Sequence, residues 1–312
     1  MARSVDVGGV TIVYDVTGDG TPVLLLHGFP DTSACWRHQV PALVGAGFQV
    51  ITPDLRGYGR SSKPDEVDAY SIPLIANDAV AILDDLGVGR AHVVGHDWGA
   101  ALAWVLGSLV PARVDRLVAL SVGAPSTFFR TFEQRARSWY MLFFQFDVAE
   151  HWLSTDDWAL FRTWANHPDA DAVIAELEKN GSLTPALNYY RANIRPDSFV
   201  GPPPDLPKVG APTMGVWSTG DMALGEAQMR DSASFVTGRS ATSASRGRGT
   251  GCSSKPPIAS TGCCWSSWES SRSAGGPVWR GPTGAGGERP STSGAAPSCT
   301  ARKISSSARA CP

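Results

Sequence analysis

Hydrophobic residues follow two different patterns along the first half of the chain. Residues 4–16, SVDVGGVTIVYDV, alternate apolar and polar side chains around a Gly-Gly pair, which is typical of a β-hairpin. Residues 22–28, 48–54 and 90–97 are instead continuous apolar runs, PVLLLHG, FQVITPD and RAHVVGHD, that end in glycine or a polar residue. Such runs predict strands that are buried on both faces.

Segments with apolar residues at helical spacing lie between and after these runs. Residues 71–87, SIPLIANDAVAILDDLG, repeat apolar side chains at helical intervals and end in Gly87, which suits a helix C-terminus. Residues 98–110 follow the third run as another helix, and residues 114–121 and 212–221 have the pattern of two more buried strands. Strands that alternate with helices predict an α/β fold with a mostly parallel sheet covered on both faces. Ligands of such sheets usually bind at the strand ends.

Residues 125–205 interrupt this alternation with aromatic-rich segments of helical pattern, such as SWYMLFFQF and DDWALFRTWANH. An insertion of this kind between two strands predicts a helical cap over an active site. The sequence therefore predicts a first core segment (1–124), the helical cap (125–205), a second core segment (206–238) and a tail (239–312).

The tail has a composition unlike the rest of the chain. Residues 239–312 contain no Leu, Phe, Met, Tyr, His, Asn, Gln or Asp and are filled with Ser, Gly, Ala, Pro and Arg. Eight Arg, two Lys and two Glu give the tail a charge of +8, which leaves −10 for residues 1–238. So little apolar surface predicts disorder. A basic tail that contacts nucleic acid or anionic surfaces is the alternative, although we expect no nucleic-acid partner.

A shifted reading frame is our preferred explanation of the tail. If the frame slips near Gly238, the first two bases of each tail codon are the second and third bases of the intended codon. Residues 263–268, CCWSSW, then permit Leu-Leu-Leu-Glu-Phe-Leu, and residues 248–252, RGTGC, permit Gly-His-Trp-Met, where Thr250 restricts the second residue to His, Tyr, Asn or Asp. The C-terminal strand and helix would then be missing. Residues 212–221 would become an unprotected sheet edge, which favours aggregation.

Several classes of protein are disfavoured by the rest of the composition. No apolar run approaches the roughly 20 residues of a membrane-spanning helix, and MARSVDVGGV lacks the apolar core of a signal peptide. We therefore expect a cytoplasmic protein with no membrane partner. Five of the six cysteines lie in the tail, and their spacing matches neither a disulfide framework nor a zinc site. No phosphate-binding glycine loop or ligand cluster occurs, so we expect no cofactor and no metal.

The stretch GHDWGA, residues 95–100, lies where a buried strand runs into a helix. A central Asp97 with Gly95 and Gly99 two positions to either side is the pattern of a nucleophile elbow. Small residues there allow a sharp turn that lifts the central side chain out of the sheet. The N–H groups and positive dipole end of the following helix favour a carboxylate at this place. The alternative is a plain Asp N-cap.

Two further loops follow predicted strands. HGFP places Phe29 where its N–H can line an oxyanion hole opposite the N–H of Trp98. Gly28 shapes this turn, and we expect His27 to be a hydrogen-bonded scaffold residue; a simple β-to-α turn is the alternative for the whole loop. STGD places Asp221 at the end of a later strand, where an acid that orients a histidine would lie. An exposed loop Asp is the alternative there.

The motifs HGFP, RGYGRS, GHDWGA, the helical insertion and STGD occur in the order found in α/β-hydrolases of the epoxide hydrolase branch, which the chain resembles over residues 1–238. The resemblance implies that Asp97 attacks an epoxide carbon to form an alkyl-enzyme ester, and that Asp221 is the acid partner of a histidine that directs water at the ester. Tyr140 in WYMLFFQ and Tyr190 in LNYYR match the family's two cap tyrosines, which hydrogen-bond the epoxide oxygen. The implied substrate is a small apolar or aromatic epoxide, opened to a vicinal diol.

Residue chemistry supports the tyrosines independently, because a phenol with a pKa near 10 is a neutral donor for a developing alkoxide. Ordinary amphipathic packing is the alternative role. A haloalkane dehalogenase is the nearest alternative function, but its pattern has Asn where this chain has Phe29 and lacks the paired tyrosines. A serine esterase is disfavoured because Asp97 occupies the elbow. A non-catalytic protein of the same fold that sequesters a small apolar ligand is the alternative outside enzymes.

A histidine is expected after the acid, because the order in this fold is nucleophile, acid, histidine. The last histidine in the sequence is His167, and none follows Asp221. His96 adjoins the nucleophile, but neighbouring side chains diverge at an elbow. Loss of a positioned base costs typically about 10²- to 10⁴-fold, and here the loss falls on ester hydrolysis. The sequence thus predicts that Asp97 is alkylated and that the ester persists.

Overall fold

The computed structural model of the chain describes residues 2–248. Within them one sheet is formed by β1 (Ala2–Val7), β2 (Val10–Thr17), β3 (Thr21–Leu26), β4 (Phe48–Pro53), β5 (Ala91–His96), β6 (Val114–Leu120), β7 (Thr213–Gly220) and β8 (Ser240–Arg248). The order across the sheet is β1-β2-β4-β3-β5-β6-β7-β8. The β1–β2 and β2–β4 pairs are antiparallel and the other pairs are parallel. The predicted α/β fold with a mostly parallel sheet is confirmed.

Helices connect these strands, and most of them lie in one long connection. The α-helices are α1 (Gln39–Gly45), α2 (Ile72–Asp85), α3 (Trp98–Leu109), α4 (Phe132–Arg137), α5 (Trp139–Phe143), α6 (Ala149–Ala165), α7 (Ala170–Lys179), α8 (Leu183–Asn193) and α9 (Glu226–Asp231). Helices α4 to α8 all fall between β6 and β7, in the segment where the sequence predicts a helical insertion.

The apolar runs form strands whose side chains pack on both faces of the sheet. In β3, Leu24 and Leu26 belong to a large cluster, whereas Val23 and Leu25 belong to a second cluster around Trp36. Alternation between two clusters follows from the two-residue period of a strand. Burial of each such side chain stabilises the fold by about 1.5–3 kcal/mol. The sheet is therefore a rigid base for the loops at its strand ends.

A buried ion pair connects the loop after β4 to α2, and a hydrogen bond connects the same loop to the helical insertion. The Arg56 guanidinium donates to both carboxylate oxygens of Asp78, at 2.9 and 2.6 Å, and both side chains are almost fully buried. The Tyr189 hydroxyl of α8 donates to the carbonyl oxygen of Arg56 at 2.7 Å. A bond from the insertion to a fixed part of the core holds α8 in place, and with it the neighbouring Tyr190.

The prediction that the C-terminal strand is missing is wrong. Residues Ser240–Arg248 form β8 within the predicted tail and pair in parallel with β7. Parallel pairing uses backbone N–H and C=O groups, so it does not need the alternation of apolar residues by which a strand is predicted. Strand β7 is therefore an interior strand and not the predicted unprotected edge. The predicted loss of the C-terminal helix, the disorder and the frameshift beyond residue 248 lie outside the described residues.

Candidate active site

Asp97 lies in a sharp turn between β5 and α3, at φ 52° and ψ −121°. A positive φ is uncommon for residues other than glycine, and such strain is concentrated at functional sites. The backbone segments beside the turn approach closely. A Cβ on Gly95 would overlap the carbonyl oxygen of Gly99, and a Cβ on Gly99 would overlap that of Leu26. The turn therefore has the geometry of an elbow that presents Asp97 at the end of β5.

The Asp97 carboxylate is held by a backbone donor and carries a raised pKa. The Phe29 N–H donates to Asp97 Oδ1 at 2.8 Å. Burial raises the pKa of Asp97 to about 7, the N–H groups of Trp98 and Phe29 lower it, and the charge of Asp221 raises it further. The side chain is half-buried, and its exposed part faces a cavity. At neutral pH, Asp97 is consequently poised between its acid and carboxylate forms.

His27 and Gly28 shape the loop that supplies the Phe29 N–H. The Nε2 atom of His27 accepts the Leu55 N–H at 2.9 Å, and Nδ1 lies 3.2 Å from the Gly28 carbonyl oxygen. This pairing makes Nδ1 the protonated nitrogen. Burial lowers the pKa of His27, so the ring is neutral. A Cβ on Gly28 would overlap the Asp97 side chain, which accounts for glycine at this position.

A cavity of about 780 Å³ joins the sheet end to the helical insertion. Its volume lies within the range that small-molecule sites commonly have. Asp97 is the only acidic residue along its wall among the residues that the structure describes. Most of the wall is apolar, formed by side chains that include Ile72, Trp98, Val122, Phe128, Phe129, Met141, Ile194 and Leu224.

Tyr140 of α5 and Tyr190 of α8 line the same cavity as Asp97. Their ring centroids are 5.9 Å apart, and the Tyr190 ring packs edge-on against Trp98 at 5.1 Å and Phe29 at 5.7 Å. Burial first, and the charge of Asp97 second, raise the pKa of both phenols well above the usual range. Both tyrosines are therefore neutral hydrogen-bond donors at neutral pH.

Asp221 immediately follows β7 and has one satisfied and one unsatisfied oxygen. Its Oδ1 accepts the N–H groups of Ala223 and Leu224 at 3.0 and 2.9 Å. Its Oδ2 is buried and has no hydrogen-bond partner among residues 2–248. Burial raises the pKa of Asp221 to about 6, and the N–H groups of Leu224 and Ala223 offset part of that rise. An unpaired buried oxygen is costly and calls for a donor.

The structure brings Asp97, Tyr140, Tyr190 and Trp98 to one cavity, with Phe29 bonded to the carboxylate. Asp221 does not line that cavity and reaches Asp97 through its charge. Sequence reasoning missed the wall residues Phe128, Phe129 and Arg130, which precede α4, and Arg135, which lies within α4. No motif marks these positions, because the side chains that face a cavity are decided by packing between distant segments.

No helix in the part of the chain that the structure describes is both long and apolar enough to cross a bilayer. Residues 2–248 also contain no group of three or more His, Cys, Asp or Glu side chains placed to hold a metal ion.

Comparison with known proteins places the chain in a family. Residues 21–240 match the family model described as alpha/beta hydrolase fold. The chain is 31% identical over 252 residues to an epoxide hydrolase from Caballeronia sordidicola, which covers 68% of this chain and 76% of that protein. It is 44% identical over 152 residues to epoxide hydrolase A of Mycobacterium tuberculosis, which covers 46% of this chain and 47% of that protein. It thus spans about half the length of that second relative.

Solved structures agree with this placement. A variant of an epoxide hydrolase from Bacillus megaterium superposes with a TM-score of 0.77 at 25% identity, over 86% of this chain and 100% of the other. An epoxide hydrolase from Vigna radiata superposes with a TM-score of 0.71 at 27% identity, over 86% and 97%. The chain belongs to the α/β-hydrolase family, in the branch of the proteins named epoxide hydrolases.

Proposed function

We propose that this chain opens epoxides through a covalent ester on Asp97. The observation that carries the proposal is a single cavity that contains a carboxylate with a pKa of about 7 and two neutral buried tyrosines. A nucleophile and proton donors in one apolar cavity are what ring opening needs, because one atom must attack carbon while another group takes up the charge that develops on oxygen.

In the first step, a carboxylate oxygen of Asp97 attacks an epoxide carbon and the carbon–oxygen bond of the ring breaks. Phe29 holds Oδ1, so we assign the attack to Oδ2. The alkoxide that forms receives a hydrogen bond, and then a proton, from Tyr140 or Tyr190. The product is an alkyl ester of Asp97 with a neighbouring hydroxyl group, and one tyrosine is left as a phenolate that regains its proton from water.

In the second step, water attacks the ester carbonyl carbon of Asp97 and releases a vicinal diol. The charge on Oδ1 is then stabilised by the Phe29 N–H, and the N–H of Trp98 is the second donor that we assign to this oxyanion hole. The step needs a base, and Asp221 Oδ2 is the acceptor that would orient an imidazole N–H. No histidine follows Asp221 in the sequence. The proposal is therefore fast ester formation and slow ester hydrolysis.

The finer points of the sequence analysis belong to the same proposal. The apolar wall of the cavity favours an epoxide with an apolar or aromatic substituent. Residues 125–205 act as the cap, because their tyrosines close the site over Asp97. The first residues of the predicted tail (239–312) form β8 and belong to the sheet. The rest of the tail as a separate segment, and the cytoplasm as the compartment, stay predictions of the sequence.

The test is the intact mass of the purified protein before and after incubation with styrene oxide. We expect a mass increase of one substrate that maps to the peptide containing Asp97 and persists for hours. Asp97→Asn is the control and should gain no mass. Diol production without a lasting adduct would contradict the slow second step. Neither adduct nor diol, from a protein that melts cooperatively, would contradict the proposed activity.

A further inference from the structure

Two arginines on the cavity wall have no role in the ring opening just described. Arg130 precedes α4 and is exposed, and Arg135 lies within α4 and is half-buried. Each is fixed by its Nε atom: Arg130 donates to the Ser126 carbonyl oxygen at 3.0 Å and Arg135 to that of Phe129 at 2.8 Å. The Arg130 guanidinium also lies 5.2 Å from the centre of the Phe235 ring. Their positions are therefore set by the protein.

Neither guanidinium forms an ion pair with a carboxylate among the described residues. The acidic groups of the surrounding segments are paired with other arginines: Glu133 with Arg137, Asp197 with Arg195 and Asp231 with Arg230. Residues 1–238 carry a net charge of −10, so carboxylates are abundant in this part of the chain. The two arginines on the cavity wall are therefore fixed in position and have no carboxylate partner within residues 2–248.

We propose that Arg130 and Arg135 bind a carboxylate carried by the substrate, so that the preferred substrate is an epoxide joined through an apolar segment to a carboxylate. Guanidinium groups suit carboxylates because their N–H groups match the two oxygens in geometry. Arg130 is exposed, so it marks the end of the cavity that is open to water, where a charged group keeps part of its hydration. The apolar wall between takes the connecting segment. The epoxide-opening step of this inference rests on the proposed function, whereas the selectivity for a carboxylate rests on the two arginines.

The experiment compares two epoxides with the same chain, one ending in a charged carboxylate and the other in its neutral methyl ester. The terminal epoxides of undecenoic acid and of its methyl ester are incubated with the protein, and the rate constant of Asp97 ester formation is followed by intact mass. The epoxides of the shorter hexenoic acid and of its methyl ester test which chain length lets the carboxylate contact the arginines while the epoxide lies at Asp97. We expect the acid to react about 5- to 20-fold faster than its ester in the pair of suitable length, which is the size of one or two partly exposed charge pairs. Added salt should reduce this advantage.

The Arg130→Gln/Arg135→Gln double variant should lose the advantage of the acid, which is measured as the ratio of the acid rate to the methyl ester rate in the same variant, so that a general change in rate cancels. Arg195→Gln is the matched control, because it removes the same charge from the paired surface Arg195 outside the cavity and should leave the advantage intact. Equal rates for acid and ester in the unchanged protein, or an advantage that survives in the double variant, would overturn the inference.

A binding measurement separates this inference from the proposed function. Titration calorimetry of the acid and the ester with Asp97→Asn needs no chemistry. If no epoxide forms an ester but the acid still binds more tightly through Arg130 and Arg135, the proposed function fails and the carboxylate site stands. If styrene oxide forms the ester but acid and ester bind equally, the carboxylate site fails and the proposed function stands.

Discussion

Burial and two backbone donors act in opposite directions on Asp97. Removal from water favours the protonated acid, whereas the Trp98 and Phe29 N–H groups favour the carboxylate, and the outcome is a pKa of about 7. A carboxylate with a raised pKa is also a stronger nucleophile once it is ionised. The same environment keeps Tyr140 and Tyr190 protonated, because their pKa values are raised well above the usual range. The proposed nucleophile and the proposed donors thus have the required protonation states together only above about pH 7.

The pH dependence of ester formation follows from these states. Only ionised Asp97 attacks, so the rate with styrene oxide should rise from about pH 5, reach half its plateau near pH 7 and stay level to about pH 9. The charge of Asp221 contributes to the raised pKa of Asp97, so Asp221→Asn should move the midpoint to lower pH. Rapid-quench mass spectrometry measures both profiles. A midpoint near the ordinary value for Asp would contradict the role given to burial.

The raised pKa of Asp97 also predicts the effect of Asp97→Asn on stability. An acid whose pKa rises on folding loses folding stability as pH increases from its unfolded to its folded pKa, here from 3.8 to about 7. The full penalty is present above that window, at most on the order of 4 kcal/mol. Asn keeps an acceptor for the Phe29 N–H and has no charge. Urea unfolding should show the variant to be more stable at pH 8 and equal to the parent at about pH 4; equal stability at both would contradict the argument.

The tyrosines should act on the first step and not on binding. Tyr140→Phe and Tyr190→Phe each remove one donor to the developing alkoxide and keep the ring that packs in the cavity. We expect each variant to form the Asp97 ester about 10- to 100-fold more slowly, with the concentration of styrene oxide at half-maximal rate unchanged. Tyr70→Phe is the matched control, since its hydroxyl donates to the carbonyl oxygen of Pro64 and its side chain does not line the cavity. An equal loss in all three would indicate a packing effect alone.

At the scale of elements, the sequence predicts what depends on local pattern. The sequence predicted three neighbouring features: the apolar run that forms β5, the two glycines around Asp97 and the helix α3. Strand, turn and helix each need particular residue types at particular positions. Strand β8 could not be predicted, because its sequence has no apolar alternation and its pairing depends on the backbone of β7. Arg130 and Arg135 were missed for a related reason, since only the packed insertion shows that they face the cavity.

The contribution of β8 can be isolated with two truncations. Removal of residues 240–312 takes away β8 and exposes the backbone groups of β7, whereas removal of residues 249–312 leaves β8 in place. We expect the shorter protein to aggregate, because an uncovered strand edge pairs with other chains. The longer one should remain monodisperse in size-exclusion chromatography with light scattering, because the removed residues have little apolar surface to contribute. Similar behaviour of the two proteins would mean that β8 does not protect the sheet.

At the scale of the whole molecule, the two halves of the proposed reaction are unequally equipped. The core supplies Asp97 and the Phe29 N–H, and the helical insertion supplies Tyr140 and Tyr190, so every group that we propose for the alkylation half lies within residues 2–248. The hydrolysis half has an acid, Asp221, whose buried Oδ2 lacks a partner there. We therefore expect such a molecule to form one ester with an epoxide and to hydrolyse it slowly unless a base is provided.

Added imidazole should therefore restore hydrolysis of the Asp97 ester. For this the small ring must pass beyond the cavity wall to Asp221 Oδ2, donate one N–H to it and accept a proton from the attacking water with its other nitrogen. We expect loss of the Asp97 ester, followed by intact mass, to accelerate about 10-fold or more with increasing imidazole, a part of the roughly 10²- to 10⁴-fold effect of a positioned base. Asp221→Asn should abolish the acceleration, because the amide no longer attracts the imidazolium that forms. Acceleration that is unchanged by Asp221→Asn would mean that imidazole acts from solution, and that Asp221 does not orient the base.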